Sequence, residues 1–280
     1  MLPERDRPPP SSRWQGCLQL DYAQRQNVTQ LVRAQVQAPL KVQRSFHPEG
    51  AVCHSVILHT AGGIVGGDRL ALEINLQPQS HTLITTAAAA KIYRSQGAQA
   101  EQITQIQVGE NACLEWLPQE AIVFTGANYQ QTTHIELAPG ALWMGWEMTR
   151  LGRSARGERF EAGEWRSRTE VWQQGKPLWI DPQWVQGGSD MMDSPHGLNG
   201  APVVGSFACV GRSMSADLVE AARAQWTGAG EIGVTRLMQG MLCRYRGDST
   251  IDLRRWFIAV WHLARQEWLD RPACKQRVWP

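Results

Sequence analysis

Long apolar runs are missing from this 280-residue sequence. The longest cover five to six residues, as from Trp256 to Trp261, where a membrane-spanning helix needs about 20. No bilayer-spanning segment is expected. The opening residues MLPERDRPPPSSR place charges and prolines where a secretory signal has an apolar run of about 7 to 15 residues, which predicts a cytoplasmic chain. Cysteine is sparse: the six residues at 17, 53, 113, 209, 243 and 274 lie 31 to 96 positions apart with no C-x-x-C. A chain of this length buries a core without disulfide staples, so they read as free thiols. An excess of one charge is absent too, since 28 Lys and Arg against 26 Asp and Glu leave +2, giving no argument for a nucleic-acid partner. Lysine is rare, with Lys41, Lys91, Lys176 and Lys275 beside 24 Arg, and five Phe stand beside thirteen Trp. Trp and Arg both mark binding hot spots, but both also serve core and surface packing. Exposed tryptophans are expected to make the isolated chain associate.

Familiar catalytic motifs are absent as well. The glycine-rich run AGGIVGGDR (61–69) follows the apolar Val56-Ile57-Leu58, but Asp68 stands where a P-loop has its phosphate-binding lysine. An alternating strand follows, whereas a dinucleotide fingerprint opens a helix. Gly62, Gly63, Gly66 and Gly67 therefore read as a structural motif, a tight turn or close backbone approach beside Asp68. Cys53, His54 and His59 crowd one stretch, yet on a strand Cys53 and His59 are about 20 Å apart at ~3.3 Å per residue, and His54 points to the other face. The histidines show no H-x-H or H-E-x-x-H spacing, and no G-x-S-x-G elbow occurs. Neither a preformed metal site nor a hydrolytic set is visible.

Strands and turns dominate to about residue 212. Leu70, Leu72, Ile74 and Leu76 alternate, as do Ala112, Leu114 and Trp116, which predicts half-buried strands. Glycine and proline turns separate them, and no amphipathic helix intervenes between consecutive strands. Segments starting at Leu76, Val108, Leu137 and Phe160 each put an apolar residue before a short turn and then resume as a strand. This quasi-repeat fits stacked strand coils; an irregular β-sandwich fits equally. Near the carboxyl end, Ser215 caps a helix expected over 215–226 and Ser249 one over 249–269. Leu253, Trp256, Phe257, Val260, Trp261, Ala264 and Trp268 form the apolar stripe of the second, with Arg254, Arg255, Arg265 and Gln266 on a solvated face. The expected organisation is a flexible extension, 1–13, and a single domain, 14–280, with a long mobile loop from Gln186 to Gly200. Glu115, Glu147, Glu170 and Asp181 lie in strand context. Facing inward they would line a polar passage; otherwise they meet water or pair with Arg150, Arg153, Arg166 and Arg168.

Motif runs covering most of residues 14 to 181 carry a resemblance: CHSVILHTAGGIVGGD (53–68), HTLITTAAAAKIYRSQGAQA (81–100), LEWLPQEAIVFTGAN (114–128), LGRSARGERF (151–160) and EVWQQGKPLWID (170–181). The sequence resembles the UreD (also UreH) family of urease accessory proteins. The resemblance implies a mainly β, irregular right-handed β-helical, solenoid-like fold with two helices in the carboxyl-terminal region. It implies a maturation scaffold and no enzyme, binding UreF, the GTPase UreG and apo-urease subunits, with no nucleic acid or membrane partner. No cofactor would be held tightly: Ni2+ would be in transit, and GTP would belong to the partner GTPase. The family's proposed acidic passage for nickel carries over by motif onto Asp68, Glu147 and Asp181. Hard oxygen ligands attract a divalent cation without the capture that thiolates or imidazoles bring. Relatives can place a small polar residue where this chain has Ala90, so a hydroxyl contribution there is not expected. Lys91 to Arg94 and Arg150 to Arg159 are either interaction surfaces or internally paired. Two alternatives remain open. A β-solenoid carbohydrate-active enzyme would need a carboxylate pair roughly 5 to 9.5 Å apart in an open groove, and a nickel-storage protein would need a His/Cys cluster.

Overall fold

Alternating apolar residues punctuated by glycine and proline become strands joined by tight turns in a computed structural model, which describes residues 15–279. The chain opens with β1 (Gln15–Arg25), β2 (Val28–Gln37), β3 (Leu40–Val42), β4 (Cys53–His59), β5 (Arg69–Leu76) and β6 (His81–Thr86). It continues with β7 (Ala90–Ile92), β8 (Ala100–Val108), β9 (Cys113–Trp116), β10 (Ala121–Val123), β11 (Ala127–Leu137) and β12 (Leu142–Leu151). β13 (Gly163–Gln173), β14 (Lys176–Gln186) and β15 (Val203–Val210) precede helix α1 (Ala216–Ala224). β16 (Glu231–Leu237), β17 (Gly240–Gly247) and helix α2 (Thr250–Leu269) follow.

From β4 to β13 the chain winds in coils that lay parallel strands alternately on two sheets. The first sheet has the order β14-β13-β11-β8-β5-β1-β2 and the second β16-β17-β15-β12-β9-β6-β4-β3. Short strands β7 and β10 close two of the coils with a third wall, where Ile64, Ile92, Val123 and Leu151 stack in register and are buried. These stacked parallel coils resemble a β-solenoid, whose neighbouring coils cover each other's open faces. Antiparallel pairs finish the sheet edges: β1 with β2, β13 with β14, and β12 with β15 and then β17.

The quasi-repeat has a structural counterpart in three of its four members. Leu76, Val108 and Leu137 stand in one register row at the same corner, each buried before its turn. Phe160 occupies a different corner, ahead of Gly163, which pairs with Ala127. Each coil makes more than one turn, so recurrence in sequence does not say which corner a turn forms.

Burial follows the two-residue period where one face meets solvent. Leu70, Leu72, Ile74 and Leu76 of β5 are buried between the sheets. β9 departs from the half-buried expectation. Leu114 and Trp116 face the first sheet, while Cys113 and Glu115 are buried on the opposite face. The cause is a third layer: α1 and α2 pack on the outer face of the second sheet. Ser215 accepts from the Leu218 amide and Ser249 from the Asp252 amide, satisfying one free donor at each helix start. The predicted apolar stripe of α2 is buried throughout, against Met144, Trp146, Met148 and Phe207. Trp146 lies 6.1 Å from Phe257 in a stacked pair and 5.2 Å from Trp279. Such aromatic pairs each add ~0.5–1.5 kcal/mol beyond the area they bury.

Three expectations change. Arg265 belongs to no solvated face; it is fully buried, because Glu49 and Glu115 meet it from the loop before β4 and from β9. The segment from Gln186 to Gly200 is tied down as well: Gly188 and Leu198 donate to Phe160 and Met191 carbonyls, and Met192 and Leu198 enter the core. The expected exposure of the tryptophans is likewise corrected, since among the described ones only Trp184 is exposed. The expected flexible extension, 1–13, lies outside the described residues.

Candidate functional site: a polar band between the sheets

Strand register builds this site. On the inner face of the first sheet, Thr104, Thr133, Thr169 and Asp181 form one row across β8, β11, β13 and β14. Gln102, Gln131, Ser167 and Gln183 form the next row. In β5 the same rows begin with Leu72 and Leu70, so the interior changes from apolar to polar as the coils accumulate. Opposite, Glu147 of β12 pairs with Ser206 of β15, and Ser206 with Arg244 of β17.

Glu147 stands where two spaces meet. One is a cavity of about 500 Å³ with a mouth near Gly62, Ala88 and Lys91 and a floor that includes Gln131, Thr133 and Glu147. The other is a small void bounded by Trp116, Trp143, Trp179, Glu147 and Asp181. Trp116, Thr133 and Glu147 border both.

The two interior carboxylates differ in their partners. Glu147 accepts from Ser167 Oγ at 2.7 Å and from Thr169 Oγ1 at 2.8 Å, and Ser167 in turn accepts from Gln131 at 3.1 Å. No basic side chain among the described residues forms a salt bridge with it. Burial pushes its carboxyl above the usual value; the two hydroxyls oppose that shift and the nearby Asp181 adds to it. Asp181 instead pairs with Arg244 and accepts from Gln183 at 3.0 Å and Ser206 at 3.4 Å. The Arg244 side chain is 42% exposed, so this end of the band reaches solvent.

Asp68 is brought to neither space. Its carboxylate accepts from the Val65 amide at 2.9 Å and closes the glycine turn. Gly67 has φ +95°, and a Cβ on Gly63 would come within 2.4 Å of the Tyr93 ring and 2.6 Å of the Lys91 carbonyl oxygen. These glycines permit the close approach of residues 91–98, and Gly62 and Gly63 also border the cavity. Glu115 and Glu170 lie outside the band. Glu170 pairs with Arg168, while Glu115 faces α2, held below the usual carboxylate range because His81, Arg265 and Trp261 outweigh the effect of burial. In the expected basic surfaces, Arg153 pairs with Glu158 and covers the Phe124 ring at 4.5 Å, Arg159 pairs with Asp193, and Lys91 is exposed.

The family model of the UreD urease accessory protein matches residues 15–280, so the match takes in the coils, the polar band and both helices. The chain belongs to the UreD family. It is 61% identical to the urease accessory protein UreD of Nostoc punctiforme, over 95% of this chain and 96% of that one. It is 56% identical to the UreD of Acaryochloris marina, over 95% of each chain. The UreD of Azoarcus sp. strain BH72 is 40% identical over 95% of this chain and 94% of its own. In this UreD-family chain no helix among the described residues is long and apolar enough to cross a membrane. Sequence reasoning reached Glu147 and Asp181 through the UreD motifs but missed the Thr and Gln rows and Arg244. The available signal was the inward spacing Gln131, Thr133 and Ser167, Thr169, legible only once the strands are in register.

Proposed function

We propose that this chain is a urease maturation scaffold that docks apo-urease together with UreF and UreG in the cytoplasm and assists nickel delivery to the urease active site. Membership in a family of urease accessory proteins supports the maturation role. The observation that carries a nickel route is Glu147, an interior carboxylate without a salt-bridge partner among the described residues, placed where a 500 Å³ cavity meets a second, small void that Asp181 also borders. A carboxylate raised by burial gains from any cation that reaches it. Hydroxyl and amide oxygens along the Thr and Gln rows give weak, successive ligands, and weak ligation lets an ion leave as well as arrive. At the far end, Arg244 neutralises Asp181, so an ion leaving there has to replace the guanidinium. Asp68 serves this route indirectly, by shaping the glycine loop at the mouth. A glycosidase reading has less support, because the void that Glu147 and Asp181 both border is too small to seat a sugar ring between them.

The test is urease activity and bound nickel in cells carrying a complete urease operon, with this gene intact, deleted, or carrying Glu147→Gln. Deletion is expected to leave urease inactive and nickel-poor, and active urease after deletion would end the maturation reading. Glu147→Gln is expected to approach the deletion in activity while still copurifying with UreF and urease. Full activation by that variant would place the nickel route elsewhere.

A further inference from the structure

On the face of the second sheet turned away from Glu147, the fold brings a distant cysteine to a glutamate and a histidine that are neighbours in sequence. Glu49 precedes β4, His54 is in β4, and Cys274 follows α2. A Glu49 carboxylate oxygen, a His54 ring nitrogen and the Cys274 Sγ lie within 4.8 Å of one another. The nickel-storage alternative lacked such a cluster on sequence grounds, because the histidine and cysteine are 220 positions apart.

Hydrogen bonding decides which His54 nitrogen is available. The Gln276 amide nitrogen donates to the Cys274 carbonyl at 2.8 Å, which turns Gln276 Oε1 toward His54 Nδ1 at 3.0 Å. Nδ1 therefore carries the proton, as in metal-bound histidines oriented by a carbonyl-type acceptor. Nε2 is then left 2.7 Å from Glu49 Oε1. Nε2, facing that carboxylate oxygen, is the ring nitrogen open to a cation.

We propose that Glu49 Oε1, His54 Nε2 and Cys274 Sγ form a binding site for one borderline divalent cation of the nickel and zinc class. Imidazole, thiolate and carboxylate are the donors such ions take, at about 2.0–2.3 Å. Seating the ion requires Glu49 and His54 to part by on the order of half an ångström, and Glu49 is on a loop. Binding releases the Cys274 thiol proton, which passes to solvent. Arg265 reaches both Glu49 oxygens, Oε2 at 2.8 Å and Oε1 at 3.0 Å, so the ion shares Oε1 with the guanidinium, and Cys274 is partly exposed. The site is independent of the proposed passage.

The test is anaerobic equilibrium dialysis of the metal-stripped full chain against Ni2+ and, separately, Zn2+, with near-ultraviolet absorption recorded for the nickel sample. One retained equivalent and a thiolate-to-nickel charge-transfer band are expected, both persisting in Glu147→Gln. Cys274→Ser, at a partly exposed position, is expected to remain folded by circular dichroism and lose the band. Gln276→Ala is expected to keep the thiolate but weaken affinity about 10- to 100-fold through loss of imidazole orientation. Cys17→Ser is the control and should change nothing. Absence of retained metal, or a band and affinity unchanged in Cys274→Ser, would overturn the site.

Discussion

Glu147 owes its character to neighbours that sequence proximity does not provide. Ser167 and Thr169 belong to another strand of another sheet, and Asp181 to a third strand. Because burial raises its carboxyl above the ordinary 4.5, the folded chain holds that proton more tightly than the unfolded chain does. The ionised group therefore costs stability, and the cost grows as pH rises from the unfolded value through the folded one. Glu147→Gln should match the native chain in acid and exceed it in thermal stability at neutral pH, as measured by unfolding midpoints across a pH series. A native chain that gains on the variant with rising pH would contradict the assignment. Arg265 is the opposite case, a buried cation shared by two carboxylates. Replacing it with Ala strands two anions in the interior and should destabilise the chain by about 3–5 kcal/mol, readable as a lower denaturant midpoint.

Local chemistry predicts the elements well because their rules act over a few residues. The period of two in β5 and the serine caps of α1 and α2 needed no distant partner to be read. Ser249→Ala should cost about 1 kcal/mol by removing the acceptor for the Asp252 amide, measurable in chemical unfolding. The glycine loop shows where local reading stops. Its turn was legible, whereas the reason for Gly63 lies in Tyr93 and Lys91 on the next coil. Likewise, Phe160 matched the other repeat segments in pattern but formed another corner, since a turn's residues encode bending without encoding its place in the coil.

At the scale of the molecule, three layers share the second sheet, buried by the first sheet on one side and by helices on the other. This is why β9 is buried on both faces, Leu114 and Trp116 on one and Cys113 and Glu115 on the other, and why the tryptophans are largely internal. The carboxyl-terminal tail completes the outer layer: Trp279 packs on Trp146 and Trp261, and its indole nitrogen donates to Thr85 at 3.0 Å. Trp279→Ala should cost about 3–5 kcal/mol. At roughly 2–4 °C per kcal/mol for a chain of this size, the melting midpoint should fall by on the order of 10 °C.

Strand periodicity, helix caps and turn residues depend on backbone preferences and burial within a short window, so the mainly β character and both helices were readable from the residues alone. Family motifs added the coiled arrangement and pointed to Glu147 and Asp181. Register between coils was needed for the rest. It alone lines up Thr104, Thr133, Thr169 and Asp181, turns Glu115 outward and Glu147 inward, and leaves Asp68 in its turn. Chain reversal after α2 brings Cys274 to His54. A side chain's charge state and ligands are set by what surrounds it within a few ångströms, and for residues separated by many coils only the folded packing supplies those surroundings.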